Sequence, residues 1–167
     1  MRDYNVVDYS MNQPLVQIEI RGIIRTSGGY AIFIGNPEKV FVIQVEYSMG
    51  QVIEMFLKGK SKDRPLTHDL MISIFQAVGM TLERVVINDL KESTYFAQLV
   101  LKQENELGKS LAEVDARPSD CLALASALNS PVFVYAELFE AVDDMSELLD
   151  QISPDQDQDQ DSDPNLD

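Results

Sequence analysis

Residues 30–45 read YAIFIGNPEKVFVIQV, and this stretch decides the class of fold. It contains two apolar runs, 30–34 and 40–45, which are rich in β-branched and aromatic side chains and are separated by the turn signal Gly35-Asn36-Pro37. Such a pattern predicts two strands that pair across a turn. Upstream, residues 14–24 alternate between apolar and polar side chains, which is the period of a half-buried strand. The three strands together predict an N-terminal β-meander.

Helical spacing replaces this alternation after the meander. Apolar side chains recur at three and four positions within residues 52–57, which predicts a helix that stops at Gly59. A second helix is predicted from an N-cap at Thr67 to a stop at Gly79, with an apolar stripe of Leu70, Met71, Ile74, Phe75 and Val78. The same reasoning predicts later strands and helices: strands at 82–88, 94–101, 111–114 and 132–135, and helices at 118–128 and 137–149.

These elements predict an α+β fold in a single domain. Strands dominate the first quarter of the chain and helices alternate with strands later, so we expect a mixed β-sheet, with an N-terminal meander plus a later hairpin, packed with three to four helices. The domain is predicted at residues 1–140, with a C-terminal helical extension at 141–152. Residues 153–167 are predicted to be a disordered acidic tail, because they are too polar to bury.

Charge and cysteine content narrow the class of protein. The net charge is −15, but residues 143–167 hold ten acidic and no basic residues, so residues 1–142 carry only −5. Outside residues 58–64 there is no cationic cluster, which argues against tight, non-specific binding of nucleic acid. With one Cys and one His, neither an intrachain disulfide nor a four-ligand zinc site is expected. We expect a cytoplasmic protein with no membrane span.

Two Arg-Pro motifs carry the candidate chemistry: Arg64-Pro65-Leu66-Thr67-His68-Asp69-Leu70 and Asp115-Ala116-Arg117-Pro118-Ser119-Asp120-Cys121-Leu122-Ala123. Each sets an arginine and a proline before an apolar helical run and places an aspartate in the first turn. If the N-terminal ends of the two helices lie close together, the carboxylates of the motifs (Asp69, Asp115 and Asp120) could hold a hard cation. Arg64 and Arg117 could then bind a phosphate, and His68 is the only conventional imidazole base.

Each of these residues also has a purely structural interpretation. A carboxylate in the first turn of a helix complements the helix dipole, as Asp69 and Asp120 would. An arginine held extended before a proline could pair with a carboxylate, and Cys121 could be a small core residue.

The two motifs, in this order, resemble the bifunctional nuclease (BFN) domain family over residues 6–138. Residues 64–70 match that family's Arg-Pro-Leu-Thr-His-Asp-Leu signature, and residues 115–125 are similar to its Asp-x-Arg-Pro-Ser-Asp-Ala-x-x-Leu-Ala segment. The resemblance implies nuclease activity on RNA and DNA, without agreed catalytic residues. Cys121 stands where alanine is usual, and Glu38 corresponds to the glutamate of a family segment that has lost its Pro and Ala here.

Two hypotheses follow. The first is a nuclease assisted by a divalent cation such as Mg²⁺ or Mn²⁺, with His68, Asp69 and Asp120 as catalytic residues, Asp69 and Asp120 as metal ligands, and Arg64 and Arg117 binding a weakly held nucleic acid. The second is a non-catalytic oligomeric binding or regulatory module in which the Arg-Pro motifs are structural helix caps. A homo-oligomer is expected in either case, because a strand-rich domain needs cover for its sheet edges.

Overall fold

The computed structural model describes residues 13–60, 62–106 and 108–152. In these ranges the chain forms seven strands: β1 (Leu15–Thr26), β2 (Gly29–Gly35), β3 (Val40–Val45), β4 (Met80–Lys91), β5 (Thr94–Asn105), β6 (Gly108–Ala116) and β7 (Val132–Tyr135). The same ranges contain five helices: α1 (Tyr47–Leu57), α2 (Thr67–Ala77), α3 (Pro118–Leu128), α4 (Ala136–Ala141) and α5 (Ser146–Ile152). No helix among these residues is long and apolar enough to cross a membrane.

One mixed sheet confirms the α+β class. Its strand order is β3-β2-β1-β7-β4-β5-β6, and the β4–β7 pair is parallel while the other neighbours are antiparallel. The predicted meander is β1-β2-β3, and the predicted hairpin is β4-β5. Strand β7 lies between them and joins the two halves.

Two details differ from the sequence-based expectation. The C-terminal helix predicted at 137–149 is two helices, because Val142 is extended and buried and Asp144 Oδ1 accepts the Ser146 N–H at 2.9 Å, which begins α5. The described chain therefore has five helices where three to four were expected. Thr67 is the first residue of α2, and the extended Leu66 is its N-cap. The predicted acidic tail, 153–167, lies outside the described residues.

The main core lies between one face of the sheet and helices α1 and α3. In α3, the five consecutive residues 121–125 are all buried, because their mostly small side chains let the helix sit close to the strands. A smaller apolar cluster on the opposite face packs Phe33 and Val40 against Met145 and Leu149.

Helix α2 is packed differently. Its only buried residue is His68, while Met71, Ile72 and Phe75 pack partly against the core. The remaining members of the predicted stripe are about half exposed: Leu70, Ile74 and Val78. The apolar stripe is therefore divided between a face that packs inward and a face that points to solvent.

Candidate functional site

The two Arg-Pro motifs, which lie at the N-terminal ends of α2 and α3, contact each other. His68, the second residue of α2, places Nε2 3.0 Å from Oδ1 of Asp120, the third residue of α3. Pro118 fits the first helical position because its missing N–H would have no partner there, and the extended Arg117 directs the chain into the helix. The convergence on which a shared site depends is thus present, and it joins residues 52 positions apart in the sequence.

Asp120 is the centre of this contact. Arg117 donates to it from Nε at 2.8 Å to Oδ2 and from a second guanidinium nitrogen at 3.3 Å to Oδ1. Burial alone would raise the pKa of Asp120, but the hydrogen bonds from Arg117 and His68 outweigh it, so the pKa lies below its usual range. His68, Asp120 and Arg117, hereafter the entrance cluster, therefore contain a carboxylate that stays ionised at neutral pH.

The exposed fraction of the side chain increases from His68 to Asp120 to Arg117. The His68 side chain is 6% exposed, Asp120 is 21% exposed and Arg117 is 64% exposed. Arg117 also lies 3.6 Å from the Glu46 carboxylate, at the start of α1. The cluster thus links a buried imidazole to a guanidinium that solvent can reach.

Asp69 faces a different cation. Lys62 Nζ lies 2.6 Å from each Asp69 oxygen, and the Leu66 backbone N–H donates to Oδ2 at 2.7 Å. The hydrogen bond from Lys62 is the main cause that lowers the pKa of Asp69. Lys62 also lies 4.1 Å above the Phe56 ring, whose centroid is 6.4 Å from that of His68. Asp69 therefore caps the N-terminus of α2, whereas His68 makes the contact with α3.

This donor set does not fit a divalent cation. Among the described residues no group of three or more His, Cys, Asp or Glu side chains is placed to hold a metal ion. Both oxygens of Asp69 accept from Lys62, and both oxygens of Asp120 accept from Arg117 or His68. A metal ion bound by these carboxylates would have to displace the cations that already neutralise them.

Three other sequence candidates are not members of the entrance cluster. Arg64 is exposed and forms no hydrogen bond or ion pair with another described residue. Glu38 lies in the β2–β3 turn, where its N–H donates to Asn36 Oδ1. Cys121 is buried, and burial followed by the charges of Asp120 and Asp115 raises the pKa of its thiol to about 12. A thiol with that pKa is protonated at neutral pH, so Cys121 is a core residue.

A cleft of about 560 Å³ borders the entrance cluster. Its walls are residues 42–46, 93–96 and 115–119, so Arg117 belongs to both the cleft and the cluster. The sheet curls so that its two edge strands, β3 and β6, both line this cleft. The aromatic rings of Phe41 and Tyr95 are in contact, with 5.6 Å between their centroids. The volume is in the range of small-molecule sites.

Sequence reasoning missed two residues of this region. Lys62, the partner of Asp69, lies in the cationic stretch 58–64, where no local pattern pairs it with a carboxylate. Glu46, the second partner of Arg117, carries no sequence signal at all, because 71 positions separate it from Arg117 and only the fold brings it close.

The fold and site define an α+β domain in which two helix entrances build one charged cluster beside a cleft. The family model described as "Bifunctional nuclease domain" matches residues 34–146, which include both Arg-Pro motifs. The chain therefore belongs to the bifunctional nuclease domain family.

Two similar proteins come from Mycobacterium tuberculosis: uncharacterized protein MT1877 of strain CDC 1551 / Oshkosh and uncharacterized protein Rv1829 of strain ATCC 25618 / H37Rv. Each is 28% identical over an alignment of 141 positions, and the alignment covers 72% of this chain and 82% of the relative.

Substitution of Asp69 by alanine tests its place at the entrance of α2. We expect the free energy of unfolding to fall by about 1 kcal/mol, because the Leu66 N–H and Lys62 lose their acceptor at a helix end. Urea unfolding at neutral pH measures this loss. The matched control is Asp63→Ala, since Asp63 is exposed in the same loop and has no partner among the described residues. Equal losses in the two variants would contradict the capping role.

Proposed function

We propose that the protein is a nuclease that hydrolyses phosphodiester bonds in RNA and DNA. Membership of the bifunctional nuclease domain family supports this activity. The observation that carries the proposal is the continuous contact from buried His68 through Asp120 to Arg117 at the cleft. It joins a group that can transfer protons to a cation that can meet a phosphate, and phosphodiester hydrolysis needs both.

In this proposal Arg117 binds the phosphate. Its guanidinium is the exposed member of the entrance cluster, and its planar donors suit phosphate oxygens. Arg64, which is exposed at the other helix entrance, provides a second cation. Because residues 1–142 carry a net charge of −5, binding is weak and transient, with few phosphates contacted at a time.

In this proposal His68 transfers the proton and Asp120 orients the imidazole. Asp120 fixes the orientation of the imidazole through its bond to Nε2, which is how a carboxylate prepares a histidine base. His68 is 5% exposed, so its other ring nitrogen has little access to solvent. Asp120 therefore acts by orientation, and its loss affects the rate more than the affinity.

The metal remains a separate prediction. The proposal that Asp69 and Asp120 hold Mg²⁺ or Mn²⁺ gains no support from their arrangement, because each carboxylate already faces a cation. We therefore derive no step through a metal ion. Cleavage assays with Mg²⁺, with Mn²⁺ and with a chelator decide whether activity depends on one.

The test of the proposal is cleavage of single-stranded RNA and DNA by the purified full chain. Arg117→Ala is expected to lower kcat/KM about tenfold, mainly through KM, because one phosphate contact is lost. Arg21→Ala is the matched control, since it removes an exposed arginine that pairs with Glu19 alone among the described residues, and it should leave kcat/KM unchanged. Equal cleavage by the wild type and by Arg117→Ala would mean that Arg117 does not bind the phosphate.

A second candidate function also has an observation in its favour. The aspartates in the first turns of α2 and α3 are each matched by a nearby cation, Lys62 and Arg117, as helix braces would be. A non-catalytic binding or regulatory module would need no more than this. A folded preparation that is free of contaminating nuclease and inert on both substrates would favour the module.

Location and assembly remain proposals as well. We place the protein in the cytoplasm on the evidence of a single, free and buried cysteine, which fits a reducing compartment. Self-association is likewise proposed, because a strand-rich domain needs cover for its sheet edges.

A further inference from the structure

The cleft beside the entrance cluster contains an exposed aromatic ring that the proposed mechanism does not use. Phe96 lines the cleft and is 39% exposed to solvent. The Lys91 ammonium lies over the ring at 5.6 Å from its centroid and pairs with the Asp89 carboxylate. A cation over a ring occupies one of its two faces. Phe96 therefore still presents aromatic surface to a ligand in the cleft.

The strand register places Phe96 next to Arg117. Ala97 of β5 pairs with Ala116 of β6 at the end of their ladder. The next opposing positions are held by Phe96 and by Arg117, whose backbone is still extended. Because side chains alternate along a strand and Ala97 is buried in the main core, Phe96 points to the opposite face of the sheet. Opposing residues of neighbouring strands are close enough for both side chains to contact one ligand.

The charges that line the cleft limit what can lie on this ring. Among the described residues of the lining, Arg117 is the one cation, whereas Glu46 and Asp115 contribute two carboxylates. A second phosphate bound near Phe96 would therefore meet a surplus of like charge. A nucleobase is neutral, and every base has a π-face that can stack on an aromatic side chain. The ring and the charges together favour a base at Phe96 and a phosphate at Arg117.

We propose that Phe96 is a base-stacking residue, and that the nucleotide whose phosphate is bound by Arg117 places its base on the Phe96 ring. This inference rests on the proposed function, because it takes nucleic acid as the ligand and adds a base subsite to the cleft. One sugar joins a base to its own phosphate, so a single nucleotide can contact two neighbouring side chains. Stacking reads neither the identity of the base nor the 2′-hydroxyl, so the subsite accepts RNA and DNA alike.

The fluorescence of Phe96→Trp tests the subsite directly. The chain contains no tryptophan, so the introduced indole is the only one. A short single-stranded oligonucleotide with phosphorothioate linkages, which slow cleavage, is expected to quench its emission because a base stacks on the indole. The same sugar-phosphate backbone without bases should leave the emission unchanged.

Leu111→Trp is the matched control for fluorescence. Leu111 is 37% exposed and does not belong to the cleft lining. It pairs with Lys102, which lies on β5 six residues from Phe96 and on the same face of the sheet. This separation is about 20 Å along the strand, so an indole at Leu111 should not be quenched.

Two further substitutions separate stacking from packing. Phe96→Leu keeps an apolar side chain but removes the π-face, so KM for the oligonucleotide is expected to rise about tenfold with little change in kcat. Phe96→Tyr keeps the ring and should retain the wild-type KM. Because Phe96 is exposed, both variants should keep the wild-type melting temperature, which a thermal melt checks.

The anisotropy of a labelled oligonucleotide measures binding independently of cleavage and of tryptophan. Binding without quenching of Phe96→Trp, equal quenching of Leu111→Trp, or equal quenching by the base-free backbone would overturn the base subsite alone. An unchanged affinity in Phe96→Leu would overturn it as well. Quenching of Phe96→Trp by a chain that does not cleave would support the subsite and contradict the nuclease. A chain that neither binds nor cleaves the oligonucleotide would overturn both.

Discussion

Substitution of Asp120 by alanine is expected to abolish most cleavage and to weaken the fold at the same time. We expect kcat to fall about 10³-fold, because His68 loses the carboxylate that orients its ring. The free energy of unfolding should fall by about 2 kcal/mol, since a buried imidazole and the Arg117 guanidinium lose their shared acceptor. The side chain is 21% exposed, so the loss stays below that of a fully buried ion pair.

Two controls separate the chemical effect from the structural one. Asp150→Ala removes an exposed carboxylate of α5, outside both the cleft and the entrance cluster, and should change neither quantity. Asp120→Asn keeps the size and one acceptor oxygen, so it should recover part of the stability while the rate stays low. A variant that keeps wild-type cleavage while losing stability would remove Asp120 from the mechanism and leave it as a brace between α2 and α3.

The acid dependence of stability follows from the same carboxylate. The pKa of Asp120 is lower in the folded protein than its unfolded value of about 3.9. Its stabilising contribution is therefore complete above that unfolded value and is lost as the pH falls through the lower, folded pKa. The difference in stability between the wild type and Asp120→Ala should accordingly shrink when urea unfolding is repeated in acid.

Local patterns predicted most of the fold. The alternating and continuous apolar runs of the meander correspond to β1, β2 and β3, because a strand in a half-buried sheet leaves a two-residue period in the sequence. The strands that were predicted too short, such as β4 and β6, extend through polar residues. Those ends are held by pairing with β5, which is a long-range effect that leaves no local pattern.

The site was only partly predictable for the same reason. The Arg-Pro motifs identify the helix entrances, because proline and a first-turn aspartate have local roles there. That His68 meets Asp120 depends on how α2 and α3 pack, and nothing in either motif specifies the partner. The cleft beside them arises from the curl of the whole sheet, so no single segment could have predicted it.

Gly50 is the one glycine within a helix among the described residues, and its substitution by alanine is expected to destabilise the fold. A Cβ at this position would lie 2.6 Å from the Cβ of Tyr30 and still closer to its ring. The Tyr30 side chain cannot move away freely, because it is buried and its ring packs against Tyr47 at 5.6 Å between centroids. Alanine favours a helix by up to about 1 kcal/mol over glycine, but overpacking costs roughly 1 to 3 kcal/mol or more, so the net effect should be destabilising by about 2 kcal/mol.

This change should also reach the candidate site, because α1 carries Glu46 at its start and Glu46 lies beside Arg117. A shift of α1 away from β2 would move that carboxylate, so KM for nucleic acid should change along with the melting temperature. Thermal unfolding is expected to shift down by roughly 4 to 8 °C for a domain of this size. Gly28→Ala is the control, since a Cβ there meets open space and its backbone needs no left-handed conformation. Equal stability of Gly50→Ala and Gly28→Ala would mean that α1 can shift away from the sheet at no cost in free energy. In that case the close packing of α1 on Tyr30 would not be what positions Glu46.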